Sequence, residues 1–229
     1  MRKTFYLLVC FFIANTVFSQ NANPKIKKYV TTNQSSLLAE YVQFVSIPNV
    51  TTDTANIREN TIFIQKMLRQ HGVMSELLTG TPKMNPVVYA EVKVPGAKKT
   101  IAFYAHYDGQ PVNPKQWAAG LDPFKPVFID KPIEAGGKIV STGMGESVNP
   151  EWRMTGRGSA DDKAGVMCII NAYAALRATG IKLKHNIKFF FEGEEEAGSV
   201  HLDGVFSRHK EKLKADIWII ADGPRHVSG

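Results

Sequence analysis

At 229 residues with 44% apolar side chains, the chain is long enough for one full domain, or one and a truncated neighbour, which excludes a disordered or fibrous protein. Its 28 lysines and arginines against 21 acids give a charge of +7, but they are scattered, with short clusters only from Lys25 to Lys28 and from Arg208 to Lys214. Solvated faces account for that pattern, so no nucleic-acid partner is expected.

The N-terminus reads as a secretory signal: Arg2 and Lys3 are the charged part, Phe5 to Ala14 the apolar part, and small residues near Ser19 offer cleavage beside Ser19 or Gln20. The apolar run is short for a bilayer, so no stable membrane anchor is expected. The expected location is periplasmic or secreted. Cys10 would leave with residues 1–19, so Cys168 alone remains, without an internal disulfide. Its neighbours predict a buried helix thiol.

Residues 20–34 read as a polar lead-in, and residues 35–229 as the start of one catalytic-type domain. Apolar spacing from Ser35 to Val45 predicts a helix that Pro48 stops. Thr54–Gln70 predicts a second, with Ile57, Ile62, Phe63 and Met67 inward and Gly72 as its end. Val73–Leu78 and Val87–Val94 predict strands around a Gly80–Pro86 turn. Thr100–Ala105 predicts a strand buried on both faces, running into His106-Tyr107-Asp108-Gly109. Few regular elements are expected in residues 110–155, rich in Pro, Gly and Trp. Gly156 to Gly165 predicts a Gly-rich turn that brings Asp161 and Asp162 to a helix mouth, with either one as the cap. That helix ends near Gly180. A second buried strand, Asn186–Phe191, leads into the acidic run from Glu192 to Glu196. Val200–Leu213 predicts a helix, and Asp216–Ala221 a third buried strand before Asp222.

Three buried strands thus each end in acids or histidine. In an open α/β sheet that edge is where ligands bind. Carboxylates converging there without a cation would repel one another and be costly to desolvate. A divalent metal resolves the conflict, and one imidazole with carboxylates suits zinc. His106 and Asp108 are two apart, so in extended backbone they point the same way and Asp108 can hold the second ring nitrogen. Each motif also has an ordinary reading: strand-end polar residues, a solvated acidic loop, a turn aspartate before Gly-Pro, and, for His226, a loop histidine.

Four motifs in order carry a resemblance: His106-Tyr-Asp after a strand, Gly156-Arg-Gly-Ser-Ala-Asp-Asp-Lys163, Glu192-Gly-Glu-Glu-Glu-Ala-Gly-Ser199 and Ala221-Asp-Gly-Pro224. Together they resemble the di-zinc exopeptidase family of carnosinases, aminoacylases, glutamate carboxypeptidases and succinyl-diaminopimelate desuccinylases. Trp117 and Asp122-Pro-Phe124 also resemble that family's segment between its first two motifs.

The resemblance implies an α/β three-layer sandwich with a mostly parallel central sheet, of the phosphorylase/hydrolase-like zinc exopeptidase type, incomplete here. It implies two zinc ions per site in the full-length family. His106 and Asp222 would bind one, Glu196 the other, and Asp161 would bridge them. Asp108 would orient His106, and Glu195 would be the general base for the attacking water. A one-residue slip in the acidic run would give that role to Glu194. Asp162 and Lys163 would be supporting residues. The implied activity is hydrolysis of an amide bond in small peptides or N-acyl amino acids, dipeptides first.

Two departures accompany it. Residues 131–153 look longer than the family's usual link, and the family's second-metal histidine lies downstream, beyond an inserted lid and dimerisation domain. None of the six histidines fits that role. A homodimer is expected only where that domain is present. The competing expectation is an exported remnant that binds metal or peptide without turnover.

Overall fold

Asn23 opens the first helix, its side chain accepting the Lys25 N–H at 3.0 Å while Pro24 takes the first helical position. In this computed structural model, which describes residues 23–140 and 148–223, α1 runs Pro24–Ser46. Residues 24–34, expected as a polar lead-in, are therefore the first half of a helix. Nothing breaks it before Pro48, and the Thr31 and Asn33 side chains bond back to the carbonyls of Lys27 and Tyr29 at 3.0 and 2.8 Å. The signal segment and His226 lie outside the described residues, as do residues 141–147 of the long link.

α2, Thr54–Gln70, has the expected bounds and is capped by Asp53. It buries Ile57, Ile64, Met67 and Leu68. Ile62 was expected inward but is 60% exposed. It lies roughly 140° around the helix from Ile57, on the solvent side.

β1 (Ser75–Leu78) and β2 (Val87–Val92) form an antiparallel pair, and β3 (Thr100–His106) comes next. Among the described residues the stretch after β3 contains three two-residue strands, β4 (Phe128–Ile129), β5 (Ile139–Val140) and β6 (Arg153–Met154), in a small antiparallel sheet of order β5-β4-β6. Then come α3 (Lys163–Ala178), β7 (Asn186–Glu192), α4 (Leu202–Arg208), α5 (Lys210–Leu213) and β8 (Ile217–Ile220). The helix expected over Val200–Leu213 is two pieces, because His209 leaves helical geometry at φ −112° and ψ 23°. The pieces bury Val205 and Leu213 respectively.

The main sheet has the order β1-β2-β7-β3-β8. β7, β3 and β8 pair in parallel, β2 is antiparallel to both β1 and β7, and so only β2 runs against the rest. Side chains on a strand alternate between faces, and β7 uses both. Phe189 and Phe191 join α1, α2 and α3 in one core, whereas Phe190 joins Val205 and Leu213 in the other. The result is three layers: α1–α3, the sheet, and α4–α5. All three phenylalanines are fully buried, and truncating any one to alanine costs about 3–5 kcal/mol.

Two burial expectations need correction. β8 was expected as a buried strand, yet Ile217, Ile219 and Ile220 are 47, 42 and 56% exposed. Among the described residues β8 stands at the sheet's edge and pairs with β3 alone, and the side chain of Trp218 finds cover 5.5 Å from the Phe190 ring. Cys168 is likewise exposed. α3 buries Val166, Met167 and Ile170, and the next position round from Met167 faces outward.

Candidate metal centre

β3 ends at His106, whose register partner is Glu192 at the end of β7. On the other side of β3 the Ala221 N–H bonds the Tyr104 carbonyl at 2.9 Å, which brings Asp222 out beside His106. Parallel pairing therefore delivers all three strand ends to one edge.

The fourth contribution comes from the turn before α3. Gly158 holds φ +78°, in the left-handed region that suits glycine. The Asp161–Asp162 peptide is cis. Of the two candidate caps, Asp162 is the one used: its Oδ1 accepts the Gly165 N–H at 3.0 Å. Its Oδ2 accepts the His106 N–H at 3.2 Å, so the cap of α3 also fastens the turn to β3. Lys163, fully buried, donates from Nζ to the carbonyls of Phe44 and Ile47 at 2.8 and 2.7 Å. It thereby ties the first residue of α3 to the C-terminus of α1.

With the turn fixed, Asp161 Oδ1 lies 2.9 Å from His106 Nε2. Glu195 Oε2 lies 3.8 Å from the same nitrogen and Asp222 Oδ2 3.9 Å. One donor atom each from His106, Asp161 and Asp222 fall within 4.8 Å of one another. Ligands of one tetrahedral zinc stand roughly 3.3 Å apart at ordinary bond lengths, so this donor set fits a zinc-sized ion with small adjustment.

Behind the ring sits Asp108, fully buried, with Oδ1 3.3 Å from His106 Nδ1. Its carboxylate also accepts the backbone N–H of Glu195 at 3.2 Å and of Glu196 at 3.1 Å, and the Thr51 hydroxyl at 2.8 Å. One carboxylate therefore lies against the imidazole and holds the acidic turn.

The turn divides its three glutamates. Glu194 is buried, with Oε1 on the Asn85 N–H and Oε2 on His201 Nδ1, both at 2.8 Å. Glu195 faces the cluster. Glu196 stands outside it and accepts Gln110 Nε2 at 2.9 Å.

Burial of the His106 ring opposes its charge, but Asp108, Asp162 and Glu195 outweigh that, and the pKa is pushed up to about 10. Burial pushes the Asp162 carboxyl up to about 7 against the backbone N–H groups it accepts. Burial also raises Glu195; His106 works the other way, and Asp222 and Glu196 reinforce the rise. A cation would relieve the repulsion among the carboxylates gathered around this imidazole.

Sequence reasoning missed Thr51, Asn85 and Gln110, none of which has a local signal. Asn85 reads as an ordinary turn residue before Pro86, and Thr51 as one of several polar residues after Pro48.

The family model for Peptidase family M20/M25/M40 matches residues 102–229, a span that holds every residue of this cluster. The chain belongs to the M20/M25/M40 peptidase family. Over 140 residues it is 34% identical to Beta-Ala-His dipeptidase from Homo sapiens, covering 60% of this chain and 23% of that protein. It is 27% identical over 212 residues to Cys-Gly metallodipeptidase dug1 from Schizosaccharomyces pombe, covering 86% of this chain and 40% of that one. The crystal structure of human carnosine dipeptidase 1 matches with a TM-score of 0.70 at 25% identity, over 88% of this chain and 41% of the other. The chain thus spans less than half the length of these M20 relatives. Its α/β layers are those of an M20 catalytic domain, in part.

Proposed function

We propose that this chain carries the metal-and-base part of a zinc-dependent dipeptidase site that hydrolyses the amide bond of dipeptides or N-acyl amino acids. The observation that carries the reading is His106, Asp161 and Asp222 within bonding reach of one ion, with Glu195 beside them. The names of the two relatives, both dipeptidases and one a metallodipeptidase, support the substrate class.

His106 Nε2, Asp161 and Asp222 would hold one zinc. Asp161, whose side chain is 66% exposed, has a second oxygen to offer a second zinc together with Glu196. When bound, zinc supplies polarisation of the scissile carbonyl and acidification of a water. Asp108 keeps the imidazole turned so that Nε2 faces the cleft. Glu195 is the base: its carboxyl is partly exposed and raised in pKa, so it can take a proton from water and return it to the leaving amine. Glu194 is spent on Asn85 and His201, which supports Glu195 for this role. The charged and apolar pattern of residues 2–14 supports export of the protein, which N-terminal mass determination checks.

The test is zinc stoichiometry measured beside dipeptide hydrolysis, for this chain and for a form extended to the length of its relatives. One tightly held zinc and weak turnover are expected from this chain, and strong turnover from the extended form. Zinc binding that is unchanged in His106→Ala would remove the basis of the reading.

A further inference from the structure

We propose that Thr51 and Asn85 are positioning residues, a buried strap that sets Asp108 and, through it, both His106 and the Glu195–Glu196 turn. The inference rests on the metal-centre reading and adds to it residues from two loops that precede β3.

Asn85 lies between β1 and β2 and is 7% exposed. Its side-chain nitrogen donates to the Thr51 carbonyl at 2.8 Å and to the Gly193 carbonyl at 2.9 Å. Its backbone N–H donates to Glu194 Oε1 at 2.8 Å. One residue thus joins the loop before α2 to the turn after β7. Thr51 passes the connection on: its hydroxyl donates to Asp108 Oδ2 at 2.8 Å, and its N–H to the Gly109 carbonyl at 3.0 Å.

Three of these five bonds end on one buried carboxylate or on the turn after β7, and the other two tie the loops together. A buried carboxylate sits where its donors put it, because an unsatisfied oxygen in that environment is costly. Asp108 has three such donors, the Thr51 hydroxyl and two backbone N–H groups from the acidic turn, and its Oδ1 lies 3.3 Å from His106 Nδ1. Removing the hydroxyl leaves Oδ2 with the Glu196 N–H alone. The carboxylate, then held by one turn amide on each oxygen, can shift toward the acidic turn, and its position against the imidazole shifts with it. Simple packing of the two loops would instead depend on side-chain shape, which valine reproduces at position 51.

The deciding measurement is zinc affinity of the 229-residue chain, by competition with a chromophoric chelator near neutral pH. Thr51→Val is expected to lower affinity about tenfold, the low end of the effect of losing a group bonded directly to a metal ligand, because Thr51 acts one step further back through Asp108. Thr51→Ser, which keeps the hydroxyl, is expected to restore it. Asn85→Asp, which loses both side-chain donors, is expected to weaken zinc in the same direction and serves if Thr51→Val does not fold. Parental affinity in folded Thr51→Val and Asn85→Asp overturns the strap. Should the parent chain bind no zinc, the metal-centre reading fails by itself, and hydrogen exchange decides the strap. Faster exchange of the Glu195 and Glu196 amides in Thr51→Val, with Phe189–Phe191 still protected, then supports it, and unchanged exchange refutes it.

Discussion

His106 Nε2 and Asp222 Oδ2 stand 3.9 Å apart, one at the end of β3 and the other just past the end of β8. Parallel pairing of neighbouring strands creates that proximity, and it puts both atoms within reach of one ion. Asp222→Ala should therefore lower zinc affinity of the chain by about tenfold or more, since three protein ligands are the usual minimum for such a site. Glu196→Ala should change that affinity little, because Glu196 lies outside the cluster and bonds Gln110. Equilibrium dialysis with metal analysis separates the two. Equal losses from both variants would place Glu196 on the first ion.

Glu195 is assigned to proton transfer and not to zinc. Glu195→Gln keeps the shape and removes the base. In a form extended to the family's length, dipeptide hydrolysis should fall in kcat by about 10²–10⁴ while zinc content stays at the parental value. Kinetics beside metal analysis on one preparation checks this. Loss of zinc together with activity would move Glu195 into the ligand set.

Burial lifts the Asp162 carboxyl from an ordinary value of 3.8 to about 7. The folded chain therefore keeps this proton at a pH where the unfolded chain has lost it. The resulting stabilisation is fully present below the unfolded pKa and is lost as pH rises through the folded one. Asn at this position cannot titrate, yet it still caps α3. In chelator, the stability of the parent relative to Asp162→Asn should thus decline from about pH 4 to about pH 8. Urea unfolding across that range measures it. A difference independent of pH would mean that the carboxyl titrates near its ordinary value.

The site was legible in the sequence to the extent that its residues sit at strand ends. Buried apolar runs mark β3 and β7, and the polar residues next to them in sequence stay next to them in space. Thr51 and Asn85 left no such mark, because their partners are remote: the Thr51–Asp108 bond spans 57 residues and the Asn85–Glu194 bond 109. Burial was less legible than strand identity. β8 is as apolar as β3, but composition does not say whether an apolar strand has a neighbour on each side. The first half of α1 was hidden for the opposite reason, since its polar residues carry no periodicity although the Asn23 cap and Pro24 suit a helix start. Cys168 shows how fine the distinction is on a helix, where one position separates the buried Met167 from the surface.

Gly165 sits in the first turn of α3, and its surroundings reverse the usual effect of its replacement. Alanine in place of glycine within a helix ordinarily stabilises by up to about 1 kcal/mol. Here an added Cβ would fall against the Asp162 carboxylate and 2.9 Å from the Ala221 carbonyl oxygen. Neither neighbour is free to yield. The carboxylate is held by the N–H groups of His106 and Gly165, and Ala221 is fixed to β3 by its own N–H. Gly165→Ala should therefore destabilise the chain by about 1–3 kcal/mol, the usual result of overpacking. It should also weaken zinc binding, because displacing Asp162 loosens His106 and displacing Ala221 shifts Asp222. Urea unfolding and chelator competition on the same variant read the two effects. A stability gain of the size expected from helix propensity, with zinc affinity unchanged, would show that the cap and the strand end have room to separate without disturbing the cluster.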